Sequence, residues 1–414
     1  MAYLATELIP YESKAPPMTI WLDVTTSASF HPPPTGILRV ELNLAEALCE
    51  ADSEIELCLY ESQASRFSAL SRAQFERIVE FQQTVPPITG KVELNVQRRD
   101  LRPSGGIEIF ARGDTMITCG MTWRPHIGNM PHLYAMQRSI SVRLITMCHD
   151  IIPIKFTHLV PGLAAIYEPY VREMVRHADH VLCPSRCTRR DLLRWAQSIG
   201  EEPPKASVMP MGCRPMSSAR EGISGKIADV LAQRFLLCVS TIESRKNQQT
   251  LCRAYMRLVD WGIADLPLLV LAGGMGHGGQ DVINEIGLDR RLAGRVIALV
   301  GCSDADLAAL YGGCLFALYP SLYEGWGLPV SEALANGKFC VCSNQGALPE
   351  AGQDFVDYAD PWDVDEWANK ILRYIASPST VAQREFDIKQ NFQAATWRDS
   401  AAHVLAVASR IAED

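Results

Sequence analysis

Residues 319–337 read Tyr319-Pro-Ser-Leu-Tyr-Glu324-Gly-Trp-Gly-Leu328-Pro-Val-Ser-Glu332-Ala-Leu-Ala-Asn-Gly337. An apolar run, Cys314 to Tyr319, leads in; Pro329 stands where an opening helical turn tolerates proline, and Gly337 is placed to stop the helix. The stretch therefore predicts strand, glycine loop, short helix. Such a junction turns main-chain N–H groups and the positive end of a helix dipole toward whatever lies above the strand's carboxyl end, which suits a diphosphate. Gly325 and Gly327 let a ligand approach the main chain closely. Glu324 and Glu332 cannot serve phosphate and are better matched to sugar hydroxyls, which donate to ionised oxygens.

Outward from this junction, the same strand-loop-helix rhythm recurs on both sides. Met18–Val24, Ile55–Tyr60, Thr115–Cys119, Ser141–Cys148, His180–Cys183 and Ser207–Pro210 read as strands of one sheet. Phe235–Ser240, Leu266–Ala272, Val296–Val300, Cys314–Tyr319, Phe339–Ser343 and Phe355–Tyr358 read as strands of another. Ile37, Val40, Leu44 and Leu48 share one helical face, and helices follow Ser185, Gln248 and Ser303, the two serines as N-caps. The region between Gln82 and Gly106 is polar and reads as irregular. The expectation is an α/β protein with two Rossmann-like, doubly wound parallel-sheet domains facing across a cleft. Its boundaries fall at 1–215 for the first domain, 216–233 for a linker, 234–390 for the second domain and 391–414 for a C-terminal helix.

Composition narrows the partners. The 414 residues suffice for two cores, and 48% hydrophobic with 21% charged residues is an ordinary globular balance. No eighteen-residue apolar run and no basic-then-apolar amino terminus is present, so neither a spanning helix nor a signal peptide is expected. The thirteen cysteines are scattered through strands and helices and read as free thiols in a reducing cytoplasm. Cys183 and Cys187 have no second Cys or His pair at zinc spacing to accompany them. A net charge of −8 argues against nucleic acid as partner. Residues 1–215 carry 22 basic and 23 acidic side chains, a balance of −1, and the rest carry 17 and 24, a balance of −7, which permits the first half to face an anionic membrane as a peripheral protein.

A second cluster follows the first strand of the second domain: Ser240-Thr-Ile-Glu-Ser-Arg245-Lys246-Asn-Gln248. A guanidinium fork, an ammonium and helix-terminal amides can converge there on one anion. His149-Asp150 ends a buried strand of the first half, and Trp123, Arg124, His126 and His132 precede it in a loop where an acceptor sugar could stack or which is simply surface. Asp304-Ala-Asp306 and Asp363-Val-Asp365 fit helix starts better than a metal clamp, so no metal is expected.

The Glu324-to-Glu332 string resembles the Glu-x7-Glu signature of retaining glycosyltransferases of family 4, which have the GT-B fold, and its flanks resemble bacterial polysaccharide mannosyltransferases that use GDP-mannose. The resemblance runs strongly from Val239 to Pro349 and weakly through the first domain. It implies a metal-independent hexosyltransferase with a nucleotide-sugar donor and a glycan acceptor on a lipid carrier, an acceptor-binding first domain and a donor-binding second domain. By the same resemblance Arg245 and Lys246 neutralise the departing diphosphate, Glu324 holds the transferred sugar and Glu332 the ribose. Ser240 and the amides of Gly325, Trp326, Gly327 and Leu328 line the donor, His149 positions the sugar, and the terminal helix packs back on the first domain. Gly36 corresponds to the family's glycine loop, but Pro32-Pro-Pro34 replace the doubled glycine, which leaves Arg39 as an alternative donor contact. Two other readings share the plan: a nucleotide-sugar epimerase and a catalytically inactive nucleotide-binding scaffold. Ala272-Gly-Gly-Met-Gly276 only superficially resembles a dinucleotide fingerprint, because its glycine spacing is incomplete.

Overall fold

The computed structural model describes residues 18–29, 36–52, 54–84, 109–124, 130–216 and 225–413. The first sheet comprises β1 (Ile20–Asp23), β2 (Glu56–Glu61), β3 (Arg66–Leu70), β4 (Thr115–Thr118), β5 (Arg143–Met147), β6 (His180–Cys183) and β7 (Ala206–Val208), in the order β3-β2-β1-β4-β5-β6-β7. The second comprises β8 (Phe235–Val239), β9 (Leu268–Ala272), β10 (Val296–Leu299), β11 (Ala317–Tyr319), β12 (Cys340–Ser343) and β13 (Asp357–Ala359), in the order β10-β9-β8-β11-β12-β13. Every pairing is parallel except the β2–β3 hairpin, an antiparallel edge that the alternation of Arg66–Leu70 was too short to announce. The expected architecture of two parallel α/β domains is the one observed.

Strand chemistry explains the layering. Phe235–Val239 and Leu268–Ala272 are buried along their whole length, as strands covered by helices on both faces must be. Each sheet reverses its strand order once, between β1 and β4 and between β8 and β11. Crevices open at such switch points, outside the carboxyl ends of the strands. The Ser240–Lys246 loop leaves β8 and the Pro320–Gly327 loop leaves β11, so the two motifs read from sequence flank the second crevice together.

Some elements differ from the reading. The span between Gln82 and Gly106 begins inside a helix, Arg72–Thr84, and 85–108 lie outside the described residues. The Ser- and Gly-rich stretch after Met216 carries a short helix, Gly225–Leu231, which buries Ile227 and Val230. All thirteen cysteines are free, and eleven are buried. Among the described residues no helix is long and apolar enough to cross a membrane.

Helix Trp397–Glu413 lies against helix Gly36–Ala51, and Trp397, Ala401, Val404 and Ala408 enter the first domain's core beside Leu44, Leu48 and Met209. The indole of Trp397 rests on Gly212, where a Cβ would stand 2.4 Å from the ring, and Ser400 Oγ donates to Pro210 O at 2.7 Å. Trp397→Ala is expected to destabilise the first domain by about 3–5 kcal/mol, read from urea unfolding. An unchanged midpoint would show that the helix is only appended.

Candidate active site

Glu324 is the hub. Its Oε2 accepts from Arg245 Nη1 at 2.7 Å, and its Oε1 from Lys246 Nζ at 2.5 Å, Ser321 Oγ at 2.6 Å and Tyr319 OH at 3.0 Å. Burial alone would raise the Glu324 pKa, but Arg245 and Lys246 more than offset it and hold the carboxyl down at about 2. Arg245 also reaches Glu243 at 2.9 Å and donates to Tyr323 O at 3.0 Å. Lys246 is lowered, first by burial and then by Arg245. Two cations thus share a buried corner, neutralised by two carboxylates.

Local sequence dictates this corner. Ser244–Lys246 forms a single 3₁₀ turn, and Asn247, at φ 58°, reverses the chain into helix Gln248–Asp260. Asn247 Nδ2 donates to Pro320 O at 3.1 Å and Pro361 O at 2.8 Å, locking the cationic turn to the loop that carries Glu324. Ser240 Oγ accepts from Gln248 Nε2 at 2.8 Å, so its hydroxyl oxygen is engaged with the helix. Gly273 is needed because a Cβ there would stand 2.0 Å from Ser240 O; a Cβ at Gly276 would meet Glu243 Oε2 at 2.7 Å. The glycines after β9 therefore serve the close passage of two loops.

The Glu324 loop touches the first domain. Gly325 O accepts from Ser185 Oγ at 2.7 Å and Thr188 Oγ1 at 3.1 Å, and a Cβ on Gly325 would stand 2.2 Å from His149 O. Ser185 also caps its own helix, Arg186–Ser198, through Thr188 N, as its position predicts. Tyr323 OH donates to Asp191 Oδ2 at 2.5 Å, and Lys155 Nζ lies 2.9 Å from the same oxygen. Glu350 accepts from Arg186 N and Cys187 N, both at 2.8 Å, so the second domain caps a first-domain helix. Among the described residues the N–H groups of Gly325, Trp326 and Gly327 have no acceptor, while Trp326 packs against the cores of both domains.

His149 is 8% exposed and its Nε2 lies 2.7 Å from Cys119 O, so the ring carries its proton on Nε2 and leaves Nδ1 as an acceptor. Burial lowers its pKa to about 4, against a small opposing effect of the Cys119 carbonyl. Asp150 accepts from Ile152 N at 2.8 Å; burial raises its pKa while Arg245, across the cleft, opposes the rise.

Glu332 stands apart from this hub. Arg39 Nη1 donates to it at 2.8 Å, and the same guanidinium pairs with Asp304, so helix Gly36–Ala51 bridges to the second domain. Burial raises the Glu332 pKa and Arg39 opposes the rise. Gly36 opens that helix at φ 43°, and among the described residues nothing lies within 4 Å of where a Cβ would stand. Leu328 begins helix Leu328–Ala335, with Pro329 in its first turn. Asp304 and Asp363 sit at helix starts, Asp363 as the N-cap of helix Val364–Ala376 and Asp304 directly after the Ser303 cap. Trp123 lies edge-on to Tyr167 and tilted against Tyr170, which makes it part of the domain's aromatic packing. Arg124 is exposed; His126 and the side chain of His132 lie outside the described residues. Among the described residues no three His, Cys, Asp or Glu side chains are grouped to hold a metal ion.

Sequence reasoning missed the residues that join the domains: Tyr323, Asp191, Lys155, Thr188 and Glu350. It also missed Glu41, 1% exposed and accepting from Ser27 N at 2.5 Å, whose carboxyl burial and then the nearby Asp23 push up to about 8.

Residues 220–391 match the family described as Glycosyl transferases group 1. This part of the chain is a glycosyl transferases group 1 domain. The chain is 37% identical over 147 residues to the O-antigen chain mannosyltransferase B of Escherichia coli, covering 36% of this chain and 38% of that protein. It is 26% identical over 222 residues to the serotype-specific mannosyltransferase WbdA of Escherichia coli, covering 50% of this chain and 26% of that one. The chain thus spans well under half the length of the curated relatives it matches. In structure it resembles the sucrose-phosphate synthase of Thermosynechococcus elongatus, with a TM-score of 0.62 at 16% identity, covering 95% of this chain and 99% of that one. The two facing sheets are the GT-B architecture.

The glycosyl transferases group 1 domain contributes the ion-paired hub and the first domain contributes His149, so the position of each depends on the contact at Gly325. Gly325→Ala is expected to force the Glu324 loop away from His149 O, seen as a lowered melting temperature and an enlarged radius of gyration in small-angle scattering. Retention of both would show that the loop yields locally.

His149 gives a pH signature. Its folded pKa lies below the unfolded value of about 6.5, so the unfolded chain binds the extra proton, and stability falls as pH drops from about 6.5 toward 4. His149→Asn should flatten that fall relative to wild type in thermal melts across the window. An identical pH dependence would contradict a neutral, buried imidazole.

Proposed function

We propose that this chain is a retaining, metal-independent glycosyltransferase that moves a hexose, mannose from GDP-mannose, to a lipid-linked glycan acceptor in bacterial polysaccharide synthesis. One observation carries the reading: a buried Arg245–Lys246 pair sits at the end of β8, its charge balanced by the Glu324 and Glu243 carboxylates, which a diphosphate can replace, in a glycosyl transferases group 1 domain. The match to mannosyltransferases supports the sugar, and transfer to a lipid-linked acceptor would take place at the inner face of the cytoplasmic membrane.

On binding, the diphosphate takes the two cations and Glu324 turns to the sugar hydroxyls. As the bond from the anomeric carbon to the phosphate oxygen breaks, Arg245 and Lys246 stabilise the charge that accumulates on the leaving group. The acceptor oxygen bonds to the same face of that carbon, and the leaving phosphate accepts its proton. His149, neutral through the working pH range, serves by accepting a hydrogen bond at Nδ1 and not by shuttling a proton. Glu332 exchanges Arg39 for the ribose hydroxyls. The cation pair supplies the neutralisation that a divalent metal provides elsewhere.

The test is a panel of GDP-mannose, UDP-glucose, UDP-N-acetylglucosamine and dTDP-rhamnose, followed by thermal stabilisation and nucleotide release with and without EDTA. Stabilisation by GDP-mannose with EDTA-insensitive release is expected; EDTA-sensitive release, or conversion of free nucleotide sugar without acceptor, would refute the reading. Glu324→Ala should abolish transfer, at least about 10³-fold, without weakening nucleotide binding, whereas Lys246→Ala should weaken both. Unchanged turnover in Glu324→Ala would remove that residue from the chemistry.

A further inference from the structure

Beneath the crevice of the first sheet lies a carboxyl that the proposed reaction does not use. Glu41, on helix Gly36–Ala51, is 1% exposed. Its Oε2 accepts from Ser27 N at 2.5 Å and from the Ser27 hydroxyl, which ties it to the short helix Thr25–Ser29 that follows β1. Its Oε1 faces the loop that follows β4: a Cβ on Gly120 would stand 2.1 Å from that oxygen and 2.0 Å from Thr26 Oγ1. Met121 N donates to Thr26 Oγ1 at 2.8 Å, and Gln82 Nε2 donates to Ser27 O at 3.1 Å. The loops after β1 and β4, at the switch point of the sheet, are thus closed over one side chain. Cys119, the residue before Gly120, holds His149, because its carbonyl accepts from Nε2 at 2.7 Å.

We infer that Glu41 is a positioning residue for His149, acting through Gly120, whose close passage over the carboxyl sets where the Cys119 carbonyl points. The inference rests on the role proposed for His149 in the cleft. Only glycine fits at position 120, so a shift of the Glu41 carboxyl passes to the main chain and from there to the hydrogen bond that fixes the ring. The charge on Glu41 matters for the same reason. Burial first and then Asp23 push its pKa up to about 8, so the corner holds a neutral acid at neutral pH and gains a charge just above it. The titratable groups around the carboxyl are Asp23 at the end of β1 and Cys119; beyond Asp23 stand Cys58 on β2 and Tyr170 on helix Ala164–His177. Burial raises Cys119, Cys58 and Tyr170, so these three stay uncharged through the range in which Glu41 titrates. Asp23 accepts from Thr118 Oγ1 at 3.2 Å, so the two carboxyls hold the chain on either side of Cys119. Ionisation of Glu41 sets a negative charge against Asp23, and the separation that follows turns the Cys119 carbonyl between them.

The test reads the ring directly, by isotope labelling of the histidines in the full chain and long-range proton–nitrogen correlation spectra from about pH 6 to about pH 10, with His149→Asn to assign the resonances. Because His149 is already neutral above about 4, a step in its Nδ1 and Nε2 shifts with a midpoint near 8 belongs to Glu41. The step is expected in wild type. It should be absent in Glu41→Gln, which keeps an acceptor for Ser27 and carries no charge, and displaced to higher pH in Ser27→Ala, which removes a donor that favours the ionised form. No step in wild type, the same step in Glu41→Gln, or an unchanged midpoint in Ser27→Ala would overturn the inference. Melting temperatures at neutral pH check that both variants fold, and wild type with Ser27→Ala decides the matter if Glu41→Gln does not. With substrate, kcat is expected to fall on the order of tenfold as pH rises through about 8 in wild type and to hold in Glu41→Gln, with the donor KM unchanged. A fall of equal size in both would also overturn it. Absence of turnover with every donor fails the transferase reading alone, because the His149 spectra need no substrate.

Discussion

Two cations buried side by side are tolerated here only because Glu324 and Glu243 accompany them. Removing either carboxylate would leave like charges facing each other in a desolvated corner, which is among the costlier arrangements a protein can hold. That requirement explains the local architecture. The 3₁₀ turn at Ser244–Lys246, the left-handed Asn247 and the hydrogen bonds from Asn247 to Pro320 and Pro361 bring a loop from β8 against a loop from β11. Ser321 and Tyr319 complete the coordination of the Glu324 carboxylate, so the ion pair is also a fully hydrogen-bonded network.

The same loop is the hinge of the domain contact. Gly325 follows Glu324 directly and gives its carbonyl to Ser185 and Thr188, while Tyr323 precedes it and reaches Asp191. Any movement of one domain over the other therefore moves His149 relative to Glu324 and Arg245. On the far side of the crevice Arg39 forms the matching bridge to Glu332 and Asp304. Both bridges attach to carboxylates or loops that the proposed donor would contact, which links donor binding to domain geometry through a small number of polar groups.

What could be read in the chain and what could not follow a physical division. Strands such as Phe235–Val239 and the caps at Ser185 and Ser303 depend on neighbours a few residues away, so their residue patterns suffice. Arg245, Lys246, Glu324 and Gly325 were legible as well, because a strand-loop-helix junction confines its chemistry to a short string. Asp191 carries no such local signal, because its partner Tyr323 lies 132 positions away in sequence and only the fold brings the two together. Arg39 likewise meets Glu332 across 293 positions. The helix at Gly225–Leu231 hid in a composition that reads as linker, since its stability comes from burying Ile227 and Val230 and not from periodicity over several turns. Trp123 in its polar loop admitted both an acceptor-stacking and a plain surface reading, because its ring neighbours Tyr167 and Tyr170 arrive from a helix distant in sequence.

The central claim is that a diphosphate takes the place of Glu324 at the Arg245–Lys246 pair. A crystal structure of the chain with a bound nucleoside diphosphate tests it directly. The account predicts phosphate oxygens within about 2.7–3.1 Å of the Arg245 guanidinium and Lys246 Nζ, with the Glu324 carboxylate released toward the sugar position. Phosphates bound elsewhere, with the Arg245–Glu324–Lys246 ion pairs intact, would contradict it.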